Sequence, residues 1–238
     1  MGDFVLEPTW RGDVSQLADE PVDCSVVRSE QILTGLVWDL RRDSVELVDG
    51  QTVVREFVVH TGAVAVLALD SLDRVLLIRQ YRHPVGMALW EPIAGLLDVP
   101  GEEPWVGAAR ELLEEAGVIA ARWDVLVDVE TSPGGSSETI RCYLARDLSA
   151  APGGRPPGSG EERTMPHTWV PLEVAAAGIL SGRLTAPLTA SGVLAALAAR
   201  ALSWSTLRAF DCPWPAREWV LGHGRARVYG PSGPKSTL

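Results

Sequence analysis

Ala94 to Val118 reads AGLLDVPGEEPWVGAARELLEEAGV, a glycine-rich loop running into a short helix that carries Arg110, Glu111, Glu114 and Glu115. Pro104 suits the first helical turn, where its missing N–H would be unpaired in any case. Glu102 and Glu103 fall where the positive end of the helix dipole favours anions. Trp105, Ala109, Leu112 and Ala116 recur at spacings of four, three and four, which predicts an inward apolar stripe. Gly117 fits the left-handed position just past the helix end.

Glu111 lies three residues before Glu114 and four before Glu115, so the carboxylates stack on one helical face. Like charges at these spacings repel, and a purely structural helix would alternate signs, as Arg110 and Glu114 do. A solvated acidic face is the ordinary outcome for two or three glutamates. Beside a loop with free backbone carbonyls, the same face also suits Mg²⁺, a hard cation that takes oxygen ligands and shares them with phosphates.

The whole pattern decides between these readings: Gly95, a gap, Glu102, seven residues, Arg110-Glu111-Leu112, one residue, Glu114-Glu115, one residue, Gly117-Val118. It resembles the Nudix box, the signature of the Nudix hydrolase family. Gly95 and Glu102 are separated by six residues where the family usually has five, which reads as a longer loop near Val99-Pro100-Gly101.

Composition sets the outer bounds. The chain has 238 residues, 46% of them hydrophobic, and a net charge of −10. That is enough for one large domain or one domain with an appendage, with a sizeable buried core. The acidic balance argues against a general nucleic-acid or anionic-membrane binder, because phosphate contacts need clustered Lys and Arg. Cys24, Cys142 and Cys212 are widely spaced and form no C-x-x-C pair, which predicts reduced thiols in the cytoplasm. The N-terminus shows no basic region followed by an apolar stretch, so no secretory signal is expected. No apolar run approaches the ~20 residues that span a bilayer.

Along the chain, residues 1–22 read as a flexible lead-in. Residues 23–60 hold β-branched-rich stretches, Ser25–Arg28, Gly35–Leu47 and Thr52–Val59, with Asp49-Gly50 as a hairpin signal between the last two. They predict a small antiparallel N-terminal sheet. Residues 61–207 form the main domain. Gly62–Leu69 is continuously apolar and predicts a strand buried on both faces, with Arg74–Gln80 pairing beside it. Pro92 argues against a central ladder position for Leu89–Gly95 and makes it an edge or extended segment. Arg122–Glu130, Glu138–Leu144 and Thr168–Pro171 predict strands, and Leu172–Ser181 and Thr189–Ser203 predict helices. Thr131–Ser137 predicts a mobile loop, and Ser149–Gly160 a disordered linker. Residues 208–238, rich in Pro, Trp and Gly, form a C-terminal extension with a disordered end. Helices interleaved with mixed strands give an α/β sandwich. The family resemblance implies the same: a Nudix-type α/β/α sandwich with a mixed sheet.

The flanks are more specific. Arg55-Glu56-Phe57-Val58-Val59-His60, Gly62–Val66, Gln80–Gly86 and Leu89-Trp90-Glu91 together look like the ADP-ribose pyrophosphatase subfamily, from about Ser25 to Leu207. Where the subfamily has Glu-Leu-Pro-Ala-Gly, this chain has Glu91-Pro92-Ile93-Ala94-Gly95, with the proline moved by one. The resemblance implies Mg²⁺-dependent hydrolysis of ADP-ribose to AMP and ribose 5-phosphate. It implies two or more Mg²⁺ ions, with Mn²⁺ as an alternative, held by the Ala94 carbonyl, Glu111 and Glu115, and with Glu114 sharing a further ion. Arg110 resembles the arginine that orients the carboxylates. Arg55, Arg82 and Glu91 match substrate-contacting positions, and a guanidinium forks well onto phosphate or ribose oxygens. For the general base there are two candidates, of which the first is preferred. One is Glu138, after the Pro-Gly-Gly-Ser-Ser loop. The other is Glu162 (or Glu161), after the Gly/Pro linker. His60, His83, His167 and His223 read as ordinary strand-end or loop residues.

In the resembling enzymes the N-terminal sheet exchanges between two subunits, which implies a homodimer with Arg55 near a composite site. Two other readings stand beside this one: hydrolysis of another nucleoside diphosphate sugar such as GDP-mannose, and a non-catalytic nucleotide-sensing module. The complete set of Glu111, Glu114, Glu115 and Arg110 argues against the second.

Overall fold

The computed structural model describes residues 12–13, 16–156 and 165–229. The expectations for residues 1–11 and 230–238, and for the end of the Gly/Pro linker, lie outside them.

Three strands, β1 (Ser25–Thr34), β2 (Asp39–Glu46) and β3 (Thr52–Val59), form the N-terminal antiparallel sheet in the order β1-β2-β3. The Asp49-Gly50 signal is borne out: the Gly50 N–H donates to the Leu47 carbonyl at 2.8 Å, closing the turn between β2 and β3.

The central five-stranded sheet runs β11-β8-β9-β4-β7. Its members are β4 (Ala63–Ala68), β7 (Ile93–Leu96), β8 (Val118–Glu130), β9 (Thr139–Ala150) and β11 (Arg208–Ala209). It is mixed, because β4 pairs parallel with β9 and antiparallel with β7. Every residue of β4 is buried. Its alternate residues divide between two cores, as the pleat dictates. Ala63, Ala65 and Leu67 face α2 (Leu172–Leu180) and α3 (Pro187–Ala201), while Val64, Val66 and Ala68 face α1 (Pro104–Ala116) and Trp214. Helices therefore cover both faces of the sheet.

The pairing expected between β4 and Arg74–Gln80 does not form. Both edges of β4 are taken by β9 and β7, and only one bridge, Leu69 to Val75, joins it to the next strand. That strand, β5 (Arg74–Arg82), instead centres a second sheet, between β10 (His167–Pro171) and β6 (Met87–Glu91). The turn at Asp70–Asp73 redirects it: Asp70 Oδ1 accepts the Leu72 and Arg74 N–H groups, and Asp73 adopts a φ of 55°. Pro92 stands between β6 and β7 and passes the chain from one sheet's edge to the other's.

Two expected loops are more tightly held than their composition suggests. The Thr131–Ser137 turn is bonded to β3, with the Val58 N–H on the Gly135 carbonyl at 2.9 Å and the Ser137 N–H on the Val58 carbonyl at 3.0 Å. Ser149 and Ala150 belong to β9, and the Ala151 N–H reaches the Gly117 carbonyl at 2.9 Å. Main-chain bonding outweighs composition at both places.

The C-terminal extension contains a helix the sequence reading did not foresee, α4 (Pro215–Gly222). After it, the Arg227 N–H donates to the His60 carbonyl at 3.1 Å, and the Arg227 guanidinium reaches the Gly35 carbonyl at 2.8 Å. The extension thereby ties the N-terminal sheet to the main domain. No helix among the described residues is long and apolar enough to cross a membrane.

Candidate active site

Helix α1 begins with Pro104 at its first turn and ends at Gly117, whose φ of 64° lets its N–H close on the Leu113 carbonyl at 2.8 Å. A Cβ on Gly117 would also meet the Arg155 backbone, so two constraints select glycine there.

The buried stripe differs from the expected one. Ala108 and Leu112 are fully buried, Trp105 and Ala116 pack beside them, and Ala109 is only half-buried. The helix is turned by about one residue, so Ala108, Glu111, Leu112 and Glu115 stand at i, i+3, i+4 and i+7, the spacing of a core-facing stripe. Glu111 and Glu115 thus occupy positions that an ordinary amphipathic helix gives to leucine. Glu115 is only 7% exposed. Burying carboxylates is costly unless something compensates their charge.

Arg110 supplies part of that compensation. Its Nε and Nη2 fork onto the two oxygens of Glu102 at 2.9 and 3.0 Å, and its Nη1 reaches Glu111 at 2.7 Å and Glu114 at 3.1 Å. The Glu102 bonds, opposed by burial, hold its pKa above the ordinary arginine value. Glu102 is therefore engaged by Arg110, and no side chain caps the helix start at Glu103. Across from the helix, β7 brings Gly95 against Glu111 so closely that a Cβ on Gly95 would overlap the glutamate's Cγ and Cδ. Ala94, one residue earlier, places its carbonyl in the same strand.

The other expected residues lie elsewhere. Arg82 forms a bidentate pair with Glu91, Nη2 to Oε2 at 2.6 Å and Nε to Oε2 at 3.0 Å, across the β5–β6 ladder. Arg55 lies on β3 and lines a groove of about 430 Å³ between the N-terminal sheet and the Pro133–Ser137 turn. Glu138 precedes β9. The register Ala94–Ala65–Cys142 puts it two strands across and four residues along from Ala94, about 16 Å away. Thr131 donates to Glu138 Oε2 at 2.5 Å, and His60 Nε2 lies 3.5 Å from Oε1. His60 Nδ1 accepts the Gly62 N–H at 3.1 Å, so the neutral ring carries its proton on Nε2, facing Glu138. Seventy-seven residues separate His60 from Glu138, and no spacing rule pairs them.

Glu162 and Glu161 lie outside the described residues. The residues that flank their segment are described. Arg155 Nε reaches the Glu114 carbonyl at 3.4 Å, and His167 Nε2 donates to the Glu115 carbonyl at 2.7 Å. Both anchors hold the last turn of α1, beside the carboxylates. His167, whose sequence context carries no partner pattern, is thus part of the site's frame.

The NUDIX domain family matches residues 59–187, more than half of the chain. The chain belongs to the Nudix family. An ADP-ribose pyrophosphatase of Mycobacterium tuberculosis is 42% identical over 204 residues, covering 86% of this chain and 97% of that protein. An ADP-ribose pyrophosphatase of Bacillus subtilis is 41% identical over 123 residues, 52% of this chain and 66% of that protein. The crystal structure of an ADP compounds hydrolase shares the fold, with a TM-score of 0.62 and 21% identity over 88% of this chain and 100% of that one. This Nudix chain thus has the enzyme fold as well as the family signature, and it is a hydrolase.

The residues present suit a divalent cation, which Nudix hydrolases generally use. Glu111, Glu114, Glu115 and the Ala94 carbonyl offer only hard oxygen donors. Gly95 leaves the space in which Glu111 lies. Among the described residues no three His, Cys, Asp or Glu side chains converge at metal-binding spacing, so the set depends on a backbone carbonyl together with carboxylates, two of which, Glu111 and Glu114, Arg110 holds.

Proposed function

We propose that this chain hydrolyses the pyrophosphate bond of ADP-ribose, giving AMP and ribose 5-phosphate. One observation carries the reading: the carboxylate stripe of α1, with Glu115 buried at a core position and Glu111 and Glu114 held by Arg110, lies in a chain that aligns with nearly all of an ADP-ribose pyrophosphatase.

Two or more Mg²⁺ ions, held by the Ala94 carbonyl, Glu111, Glu115 and Glu114, would neutralise pyrophosphate charge and lower the pKa of a bound water. Arg110 keeps the carboxylates aligned by its fork on Glu102 and does not meet substrate. Arg82, oriented by Glu91, and Arg55 contact the substrate's oxygens. Both base candidates stand: Glu162 lies in a segment outside the described residues, which starts after Arg155 and ends before His167, each bonded to the last turn of α1. Glu138 is occupied by Thr131 and His60, about 16 Å from Ala94.

The protein acts as a homodimer in the cytoplasm. Every residue of β1 is exposed, including Val26, Val27, Ile32 and Leu33. A three-stranded sheet with a long apolar edge is marginal alone and prone to pairing. A second subunit on this edge would lie two strands from Arg55 on β3. The three thiols are unpaired, which suits a reducing compartment.

The test is to incubate purified protein with Mg²⁺ and a panel of nucleoside diphosphate sugars and follow release of the nucleoside monophosphate. ADP-ribose should turn over fastest. GDP-mannose turning over well above it would overturn the substrate. Tight ADP-ribose binding with no turnover of any substrate would overturn the enzyme.

A further inference from the structure

The N-terminal sheet carries Arg55, yet its covalent link to the main domain runs through one strand end, residues 60–62 between β3 and β4. The bonds from Val58 to the turn at residues 131–137 lie beside that link, so by themselves they leave a pivot. Arg55 stands five residues out from His60, about 16 Å along the strand. A tilt of about 10° at the pivot would move it by about 3 Å, more than a hydrogen bond tolerates.

Residues 224–229 of the C-terminal extension form a strap across this pivot. Ala226 bridges to His60, and the Gly224 carbonyl accepts from Arg41 of β2 at 2.7 Å. The Arg227 guanidinium divides between the Gly35 carbonyl at 2.8 Å and Asp39 Oδ1 at 3.2 Å. The Tyr229 hydroxyl donates toward the Val37 carbonyl at 2.9 Å and the Leu36 carbonyl at 3.3 Å. Three consecutive carbonyls of the turn between β1 and β2 thus accept from two side chains of the strap. Arg227 also lies 4.8 Å from the centre of the Tyr229 ring, so the two donors brace each other.

The receiving turn is shaped in advance. Asp39 Oδ1 accepts the Gly35 N–H at 3.2 Å, and a Cβ on Gly35 would overlap the Trp38 carbonyl. The root of the strap is fixed to the main domain. Arg217 of α4 donates to the Thr61 carbonyl at 2.7 Å, and the buried Arg141 of β9 donates to the Cys212 and Pro213 carbonyls at 2.7 and 2.9 Å. The strap therefore fastens the base of the sheet one and two strands away from β3, about 5 to 10 Å from the pivot. On its other side a cavity of about 270 Å³ lies between the strap and the loop at residues 97–103 that leads into α1.

We propose that Arg227 and Tyr229 are positioning residues for substrate binding: they set the tilt of the N-terminal sheet and so hold Arg55 where it meets the substrate. This rests on the role proposed above for Arg55. Neither residue touches the carboxylate stripe of α1, so substrate affinity depends on the strap and the chemical step does not.

Steady-state kinetics of the full-length protein, on the nucleoside diphosphate sugar it turns over fastest, test this. Arg227→Gln should raise KM about five- to tenfold and leave kcat within about twofold, the pattern of lost uniform binding. Tyr229→Phe removes one hydroxyl, should raise KM about two- to threefold, and serves if Arg227→Gln does not fold. In an Arg55→Ala background Arg227→Gln should add nothing. In an Arg82→Ala background it should raise KM by its full factor, because Arg82 belongs to the main domain. Amide hydrogen exchange over Thr52–Val59 should quicken in Arg227→Gln while exchange over Thr139–Ala150 stays level. An unchanged KM in both strap variants, a KM rise that persists in Arg55→Ala, or unchanged exchange over Thr52–Val59 would overturn the proposal and leave the role of Arg55 standing. A wild-type KM in Arg55→Ala alone would instead remove Arg55 from the substrate site, and the proposal with it.

Discussion

Gly95 and Glu111 are in direct contact: the glutamate's Cγ and Cδ lie where a Cβ of residue 95 would be. Strand β7 and helix α1 approach this closely only because position 95 has no side chain. The contact fixes where the Glu111 carboxylate can point. Gly95→Ala should push Glu111 out of line with Glu115. Hydrolysis should fall by one to two orders of magnitude, roughly the effect of disturbing a metal ligand's support. Thermal melts should show a loss of about 1–3 kcal/mol from overpacking. Wild-type turnover in this variant would show that Glu111 does not need its present position.

Glu115→Gln separates chemistry from folding. The amide keeps the shape and removes a buried negative charge. Metal-dependent turnover should drop at least about a hundredfold, in line with the several kcal/mol that a bound cation's charge supplies. The unfolding midpoint should stay level or rise, because a buried carboxylate has a desolvation cost. Retained activity would remove Glu115 from the ligand set.

Arg110→Lys keeps the charge and loses the fork. A lysine cannot span both oxygens of Glu102 and still reach Glu111 and Glu114. Turnover should fall about 10- to 100-fold. KM should change little, since Arg110 faces carboxylates and not the substrate grooves. The stability loss should be about 1 kcal/mol, because the guanidinium is partly exposed. A rise in KM with unchanged kcat would mean that Arg110 touches substrate.

His60 sets a pH dependence. Burial, opposed by the nearby Glu138 charge, holds its pKa below the ordinary value of about 6.5. Below that pH the unfolded chain takes up a proton that the native ring resists, so stability falls as the solution is acidified from about 6.5 toward the lowered native pKa. Urea midpoints measured from pH 7.5 down to 5.5 should decline, and His60→Phe should flatten the decline. An identical slope in the variant would show that His60 titrates normally.

Much of this was legible in the chain because it is local. Pro104 and Gly117 bracket α1, Asp49-Gly50 turns the hairpin, and the unbroken apolar run of β4 announces a strand covered on both faces. What escaped is non-local. The pairing of β5 depended on β7 and β9 having already filled β4's edges. The rotation of α1 was hidden because Ala108 and Ala109 satisfy helical spacing equally well, and only the closeness of Gly95 to Glu111 selects between them. Helix α4 was masked by its Pro- and Trp-rich surroundings, although Pro215 at its start and Gly224, at a φ of 60° just past its end, follow the usual asymmetry. His60 and His167 acquire partners only through the fold.

Pro92 has a metrical consequence. It stands between Glu91, which orients Arg82, and Ala94, whose carbonyl belongs to the proposed metal site. Three residues of extended chain span about 10 Å, so the separation of these two stations is covalent and not a matter of packing. The proline stiffens the first link of that span. On the proposed roles of Arg82 and Ala94, this span sets the distance between the substrate contact and the metal centre, and inserting or deleting a residue beside Pro92 would reset it while leaving each station intact.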